Sequence, residues 1–345
     1  MDPLFLSALH CQNDSGRPPV WLMRQAGRYM PQYQAFRKKH RLLELFRKPE
    51  LAAEVTLLPV DLLGVDAAIL FSDILVIVEA LGLGLDFAEG MGPVIDSPIQ
   101  NVRDIENLPT IDVREKLDYV AQTIKLVRPQ LNIPLIGFSG APFTIASYMI
   151  EGRSSRDLKK TRQLAYHDER AFHTLLQKLT DVIIDYLQMQ VDAGAQTLQI
   201  FDSWANYLSP SQFHNFVYPY LKQIVEGLRG SNVPIILFCR GSSSFIEQLI
   251  ELKPHAISLD WSCEMSKVRS ITPENIALQG NLDPFLLYAP KEIIKRDLYA
   301  QLDEMRDNPG YICNLGHGIS PDMSMENVKY LVDCVKEYNY CPTTV

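Results

Sequence analysis

The sequence predicts one α/β domain over residues 1–345, a (β/α)8 barrel with its active-site cleft at the C-terminal ends of the strands. Three observations predict it. Short apolar runs near residues 21, 68, 136, 198, 236, 258, 278 and 312 read as about eight strands, each followed by helix or loop. No Pro/Ser-rich linker or internal repeat interrupts this alternation. Polar residues gather just after the runs: Arg24, Asp73, Ser139, Asp202, Ser203, Arg240, Asp260, Asn281 and His317. That end of the strands is where barrels carry their chemistry. A split α/β sheet would fit part of the same pattern.

The first run, Val20–Met23, has the look of a buried strand and delivers Arg24 and Arg28 around Gly27. Arg37-Lys38-Lys39-His40 sits on a helix or at its end, and Pro49–Leu63 is helical, with proline tolerated in the first turn. Asp66–Phe71 is the second strand and ends in Ser72-Asp73. Gly82, Gly84, Gly90 and Gly92 mark a flexible region, but Phe87 stands where GxGxxG needs its third glycine, so no nucleotide loop is implied. Leu117–Val127 is helical; Pro134–Phe138 is a strand, and a helix from Phe143 carries Tyr148 and Glu151. Ala171–Ala193 is a long amphipathic helix and Gln196–Phe201 a strand ending in Asp202-Ser203-Trp204. Ser209–Leu228 is helical, with Ser209 as N-cap and Pro210 in the first turn. Strands at Pro234–Phe238, Ala256–Asp260, Ile276–Gln279 and Tyr311–Asn314 alternate with helices at Phe245–Leu252, Lys291–Met305 and Met325–Val335.

The 345 residues are 47% hydrophobic and 21% charged, an ordinary globular composition, and the net charge of −8 argues against a broad nucleic-acid footprint. The start, MDPLFLSALHCQNDSG, lacks the basic and apolar regions of a secretory signal. No run approaches the roughly 18 apolar residues of a membrane span. Six cysteines (Cys11, Cys239, Cys263, Cys313, Cys334, Cys341) are scattered singly, which suits reduced thiols in the cytoplasm.

Several residues invite chemistry. Arginine is rarely buried unpaired, and its planar fork suits bidentate capture of a carboxylate, so Arg24 and Arg28 around Gly27 read as an anion-binding loop. The same spacing fits two surface arginines flanking a turn. Asp73 is either a structural cap or an anion presented to a cationic or NH-rich ligand. Tyr148 fits core packing or the cleft. Ser203 lacks the G-x-S-x-G elbow of a serine hydrolase. His317, between two glycines, is free to reach a ligand. Cys239, Cys313 and His317 could form a mixed zinc site, but no His-x-Cys pair is present, and no metal is expected.

The segments PVWLMRQAGRYMP, ILFSDIL, GLGLDF, PLIGFSGAPFTIASYMIEG, LQGNLDP and NLGHGI occur in this order over nearly the whole chain and together resemble the uroporphyrinogen decarboxylase family. The resemblance implies a single-domain barrel, a homodimer with one deep cleft per subunit. It also implies an activity that needs neither metal nor organic cofactor: removal of CO2 from the four acetate arms of uroporphyrinogen III. Carried across by motif, Arg24 and Arg28 would bind substrate carboxylates, with Arg37 a further candidate. The Gln25, Ala26 and Gly27 backbone would lie in the same pocket. Asp73 would accept hydrogen bonds from pyrrole NH groups, and Tyr148, Ser203 and His317 would contact substrate, with Phe138 packing beside the macrocycle. Asp73 and Arg24 are the expected catalytic pair. Departures are small: Gln32 stands where the family has a glutamate, and Cys239-Arg240-Gly241-Ser242 replaces a threonine-lysine-glycine run. The same barrel family includes zinc-dependent methyltransferases, against which the missing His-x-Cys pair argues. A non-enzymatic porphyrin-binding protein would need the arginines but not Asp73.

Overall fold

A computed structural model describes residues 3–88 and 92–339. Gly90 and Cys341, both singled out above, lie outside the described residues. Seven parallel strands make one curled sheet: β1 (Ala68–Ile69), β4 (Leu135–Gly140), β5 (Thr197–Asp202), β6 (Ile235–Cys239), β7 (Ala256–Ser258), β8 (Ala277–Leu282) and β9 (Tyr311–Leu315), in that order. β4 and β6 to β9 are buried along their whole length, which is why they read as continuous apolar runs rather than alternating ones. A separate antiparallel hairpin, β2 (Leu85–Ala88) and β3 (Gly92–Ile95), forms where the glycines suggested a flexible stretch.

The sheet is open, with β1 and β9 at its edges. The eighth strand expected at Val20–Met23 is reduced to a single parallel bridge, Val20 to Cys313. The segment is nonetheless bonded on both sides. Cys313 N–H donates to the Pro19 carbonyl at 2.9 Å on one side, and Asp66 N–H to the Val20 carbonyl at 2.8 Å on the other. Two local causes keep it from pairing as a regular strand. Pro18 and Pro19 have no N–H to give to a ladder. The Val20 N–H is taken by the Asp66 carboxylate at 2.8 Å, which Arg17 also grips with both arms of its guanidinium. Inside the sheet's curve, Trp21 Nε1–H donates to Gln279 Oε1 at 2.8 Å, and Gln279 donates to Ser258 at 2.9 Å and Gln199 at 3.1 Å. A buried polar belt thus ties the segment to β8, β7 and β5.

Most helices fall where their periodicity puts them. Pro49–Leu63 ends at Gly64, whose φ of +72° makes the left-handed turn. The expected helix over 209–228 is two helices, Pro210–Phe216 and Tyr218–Gly227. Pro219 has no N–H to continue the first helix and instead opens the second. The long helix Glu169–Ala193 packs on β4 and places Gln190 against Phe138. The Gln190 amide accepts the Phe138 N–H at 2.8 Å and donates to the Phe138 carbonyl at 2.9 Å, fixing that residue's backbone.

Candidate active site

The loop after the Val20 bridge is built to aim one arginine. Arg24 adopts φ +61°, a left-handed conformation that is uncommon for a side chain with a Cβ and persists only when its surroundings impose it. Here they do. Gln25 N–H closes a turn onto the Leu22 carbonyl at 2.9 Å. Met23 N–H donates to Asn314 Oδ1 at 3.1 Å, and Ile319 N–H donates to the Met23 carbonyl at 3.1 Å. The Gln25 side chain is wholly buried; it accepts from Leu22 N–H and donates to the Ala67 carbonyl, each at 3.2 Å. Its amide therefore clamps the loop to the β1 edge. Gln25→Ala would strand both backbone groups, and chemical denaturation should show a loss of about 2 kcal/mol or more.

The loop faces a cleft of about 1050 Å³, measured to include its open mouth. Four adjacent strands each send a phenylalanine into it from or just past their C-terminal ends: Phe71, Phe138, Phe201 and Phe238. Phe138 meets Phe201 edge-on at 5.7 Å, and Phe201 meets Phe238 at 5.8 Å. Phe87 and Pro93 from the hairpin complete an apolar wall. Tyr148 also lines the cleft, its ring 4.1 Å from that of Trp204.

Asp73 stands in this aromatic setting, half-buried, two residues past Phe71. Burial raises its carboxyl to about 6, against the opposing pull of the Leu75 N–H and the Arg24 charge. Leu75 N–H, donating to Oδ1 at 2.9 Å, is its one hydrogen-bond donor among the described residues. Asp73 lines the cleft, and no second donor among the described residues reaches its carboxylate. Asp202 is also raised to about 6 by burial, but it is enclosed and bonded to Thr144 at 2.6 Å, outside the lining. Two aspartates at strand ends thus differ in access, which decides their use.

His317 also lines the cleft, its ring 6.1 Å edge-on from that of Phe238. Burial first, then the charges of Arg24 and Arg240, push its imidazolium down to about 4, so the ring is neutral at physiological pH. Gly318 next to it is there for Arg24. A Cβ at that position would lie 2.4 Å from Arg24 Cδ, so only glycine leaves a path for the arginine's stem.

The structure brings together Arg24, Gln25, Ala26, Asp73, Phe138, Tyr148, Ser203 and His317 around one cleft. Gly27, Arg28 and Arg37 are outside that lining. Gly27 serves the turn: a Cβ there would be 3.1 Å from the Arg24 carbonyl and 3.4 Å from the Tyr29 ring. Arg28 is exposed, and Arg37 is half-buried with Nη1 donating to the His40 carbonyl at 2.9 Å. Gln25 reaches the cleft with its side chain already spent on the loop. Sequence reasoning missed the aromatic wall of Phe71, Phe201 and Phe238. The signal was present as a recurring Phe followed by short polar residues, in Phe71-Ser72-Asp73, Phe138-Ser139, Phe201-Asp202-Ser203 and Phe238-Cys239-Arg240. Cys239 and Cys313 are enclosed in their strands, and no three His, Cys, Asp or Glu side chains among the described residues are grouped to hold a metal.

Comparison with known proteins gives this geometry a lineage. In fold, the chain is similar to a methyltransferase from Methanosarcina mazei, with a TM-score of 0.82 over 97% of this chain and 98% of that one, at 22% identity. In sequence, it is 55% identical over 332 residues to the uroporphyrinogen decarboxylase of Protochlamydia amoebophila (strain UWE25), covering 96% of this chain and 91% of that protein. It is 48% identical to the one from Geobacter metallireducens (strain ATCC 53774 / DSM 7210 / GS-15), covering 92% and 94%. Residues 2–338 match the family described as uroporphyrinogen decarboxylase (URO-D). A match of that extent takes in the Arg24 loop, the four phenylalanines, Asp73 and His317 alike: the chain belongs to the uroporphyrinogen decarboxylase family.

Proposed function

We propose that the protein is a uroporphyrinogen decarboxylase, a carboxy-lyase that converts the four acetate arms of uroporphyrinogen III to methyl groups and releases CO2. The observation that carries the reading beyond family membership is Asp73: a cleft-lining carboxylate with a single donor among the described residues, set in an aromatic cleft beside Arg24. An ionised aspartate only accepts hydrogen bonds, and a tetrapyrrole with reduced bridges can fold its four pyrrole NH groups toward one point. The phenylalanine wall suits the macrocycle's faces. Arg24 suits a carboxylate arm, and it supplies positive charge in a chain whose net charge is −8.

In each step a proton joins a pyrrole ring, which becomes a cationic electron sink. The C–C bond to the carboxylate breaks toward it, CO2 leaves, a second proton converts the exocyclic methylene to methyl, and the ring carbon gives back the first proton to restore the neutral pyrrole. The net change consumes one proton and one carboxylate. Asp73 stabilises the ring cation as it forms; a preorganised charge at the site of developing charge is commonly the largest catalytic effect. Arg24 orients the departing carboxylate. The substrate itself acts as the electron sink in this account, with no bound metal or organic cofactor. The same reading takes the Pro19–Leu22 segment, bonded to both sheet edges, as the eighth stave of a (β/α)8 barrel. It also extends to a homodimer in the cytoplasm.

Only the ionised form of Asp73 presents both oxygens as acceptors and carries the charge that stabilises the ring cation, so activity should fall as pH drops through the carboxyl's raised value. In the free enzyme, kcat/KM is expected to be level above about pH 7 and to fall roughly tenfold per unit below about 6. His317, already neutral there, adds no second inflection near neutrality. Initial rates from pH 4.5 to 8.5 at low substrate check both points. The activity itself is tested by anaerobic incubation of chelator-treated protein with uroporphyrinogen III, followed by separation of the oxidised products. Seven-, six-, five- and four-carboxylate porphyrins are expected; unaltered substrate would overturn the reading.

A further inference from the structure

One charged group at the cleft end of the sheet has no part in the chemistry above. Arg240 follows β6, and its guanidinium makes no hydrogen bond or ion pair among the described residues. Its contact is the face of Trp261, 5.8 Å from ring centroid to guanidinium carbon. Trp261 is 39% exposed, and its ring meets that of His317 edge-on at 6.4 Å. Arg240 therefore stands one ring outside the cleft wall, close enough for its charge to act on His317.

The placement is rigid. Arg240 N–H donates to the Asp202 carbonyl at 3.0 Å. The buried Asp260 carboxylate accepts Gly241 N–H at 2.5 Å, together with the N–H (3.0 Å) and hydroxyl (2.5 Å) of Ser262. Asp260 thereby fastens the Arg240–Gly241 turn to the Trp261–Ser262 turn and makes no ion pair with the guanidinium among the described residues. Gly241, at φ +76°, leaves room for the Asn206 backbone, which a Cβ would approach to 3.1 Å. A stacked guanidinium keeps the donors along its edge free, and holding it in advance lowers the entropy lost on binding an anion.

We propose that Arg240, seated on Trp261, is a second carboxylate anchor of the cleft and holds a propionate arm of the bound tetrapyrrole. The inference rests on the decarboxylase reading. A propionate is the fitting partner because propionates survive all four steps, whereas an acetate at the rim would be remote from Asp73. One anchor can then serve the octacarboxylate substrate, each intermediate and the product.

The test is the affinity of coproporphyrinogen III, which carries only propionates, measured anaerobically for the wild-type protein, Arg240→Gln and Trp261→Leu, at two salt concentrations. Loss of a charge-assisted contact should weaken product binding about 10- to 100-fold in Arg240→Gln and flatten its salt dependence. KM for uroporphyrinogen III should rise by a similar factor, with kcat falling less. Trp261→Leu keeps the charge and loses its seat, so a smaller weakening is expected. Product affinity in Arg240→Gln equal to wild type would overturn the proposal. If the wild-type protein itself neither bound the product nor released CO2, the decarboxylase reading would fall instead, which keeps the two failures apart.

Discussion

Asp73→Asn is expected to leave a folded protein with turnover reduced by about three orders of magnitude or more. The size follows from removing a preorganised charge from a low-dielectric site, where one such group is commonly worth 10²–10³ in rate. On the proposed reading the same change also replaces an acceptor with a partial donor where the pyrrole NH groups would converge. Stability should move the other way. Burial raises the Asp73 carboxyl to about 6, above the value it has in an unfolded chain, so its ionised form opposes folding at neutral pH. That cost is relieved as pH falls through about 6, and in Asp73→Asn it is absent throughout. A variant that melts at or above the wild-type temperature yet releases almost no CO2 would separate the catalytic role from a structural one. Retained turnover would remove Asp73 from the mechanism.

The second large effect belongs to Arg24. On the proposed reading, Arg24→Gln should lower kcat/KM by about 10²- to 10³-fold, because it removes the bidentate charge-assisted contact that Arg24 would make to the departing carboxylate. Gly318→Ala offers a route to the same result without touching the arginine. Its methyl would occupy the space of the Arg24 stem, with Cδ 2.4 Å and Cγ 2.6 Å away, so the guanidinium must leave its path. The two single variants should therefore be far from additive, with Arg24→Gln/Gly318→Ala little worse than Arg24→Gln alone. Steady-state kinetics on the three proteins decides this. Full multiplication of the two losses would mean that Gly318 acts on something other than Arg24.

What the sequence discloses of this molecule divides along physical lines. Leu135–Gly140 and Ile235–Cys239 are legible because strands covered on both faces need apolar residues at every position. The Val20 segment has the same composition and pairs poorly, since its prolines and the reach of Asp66 decide its hydrogen bonds, and that reach comes from 46 residues away in the chain. Arg24, Arg28 and Arg37 look alike as charges. Only the path of the loop separates the one that enters the cleft, and that path turns on a left-handed residue that is neither glycine nor asparagine. Asp73 and Asp202 both follow a strand-end phenylalanine closely, and Thr144, on the helix after β4, bonds to Asp202 and not to Asp73. Phe71, Phe201 and Phe238 are not singled out in the sequence because apolar pattern does not tell which end of a strand opens onto solvent. The family resemblance supplied the cleft; the register of four adjacent strands supplied its wall.

The central claim is that Asp73 is an ionised acceptor for pyrrole NH groups. It is tested most directly by counting protons when coproporphyrinogen III binds, using calorimetry near pH 6 in buffers of different ionisation enthalpy. With its carboxyl at about 6, free Asp73 is half protonated there, and binding should expel about half a proton per site. The release should vanish near pH 8 and should be missing from Asp73→Asn at either pH, the ligand's own titration being common to both proteins. Identical proton counts for the wild-type and Asp73→Asn proteins near pH 6 would contradict the account.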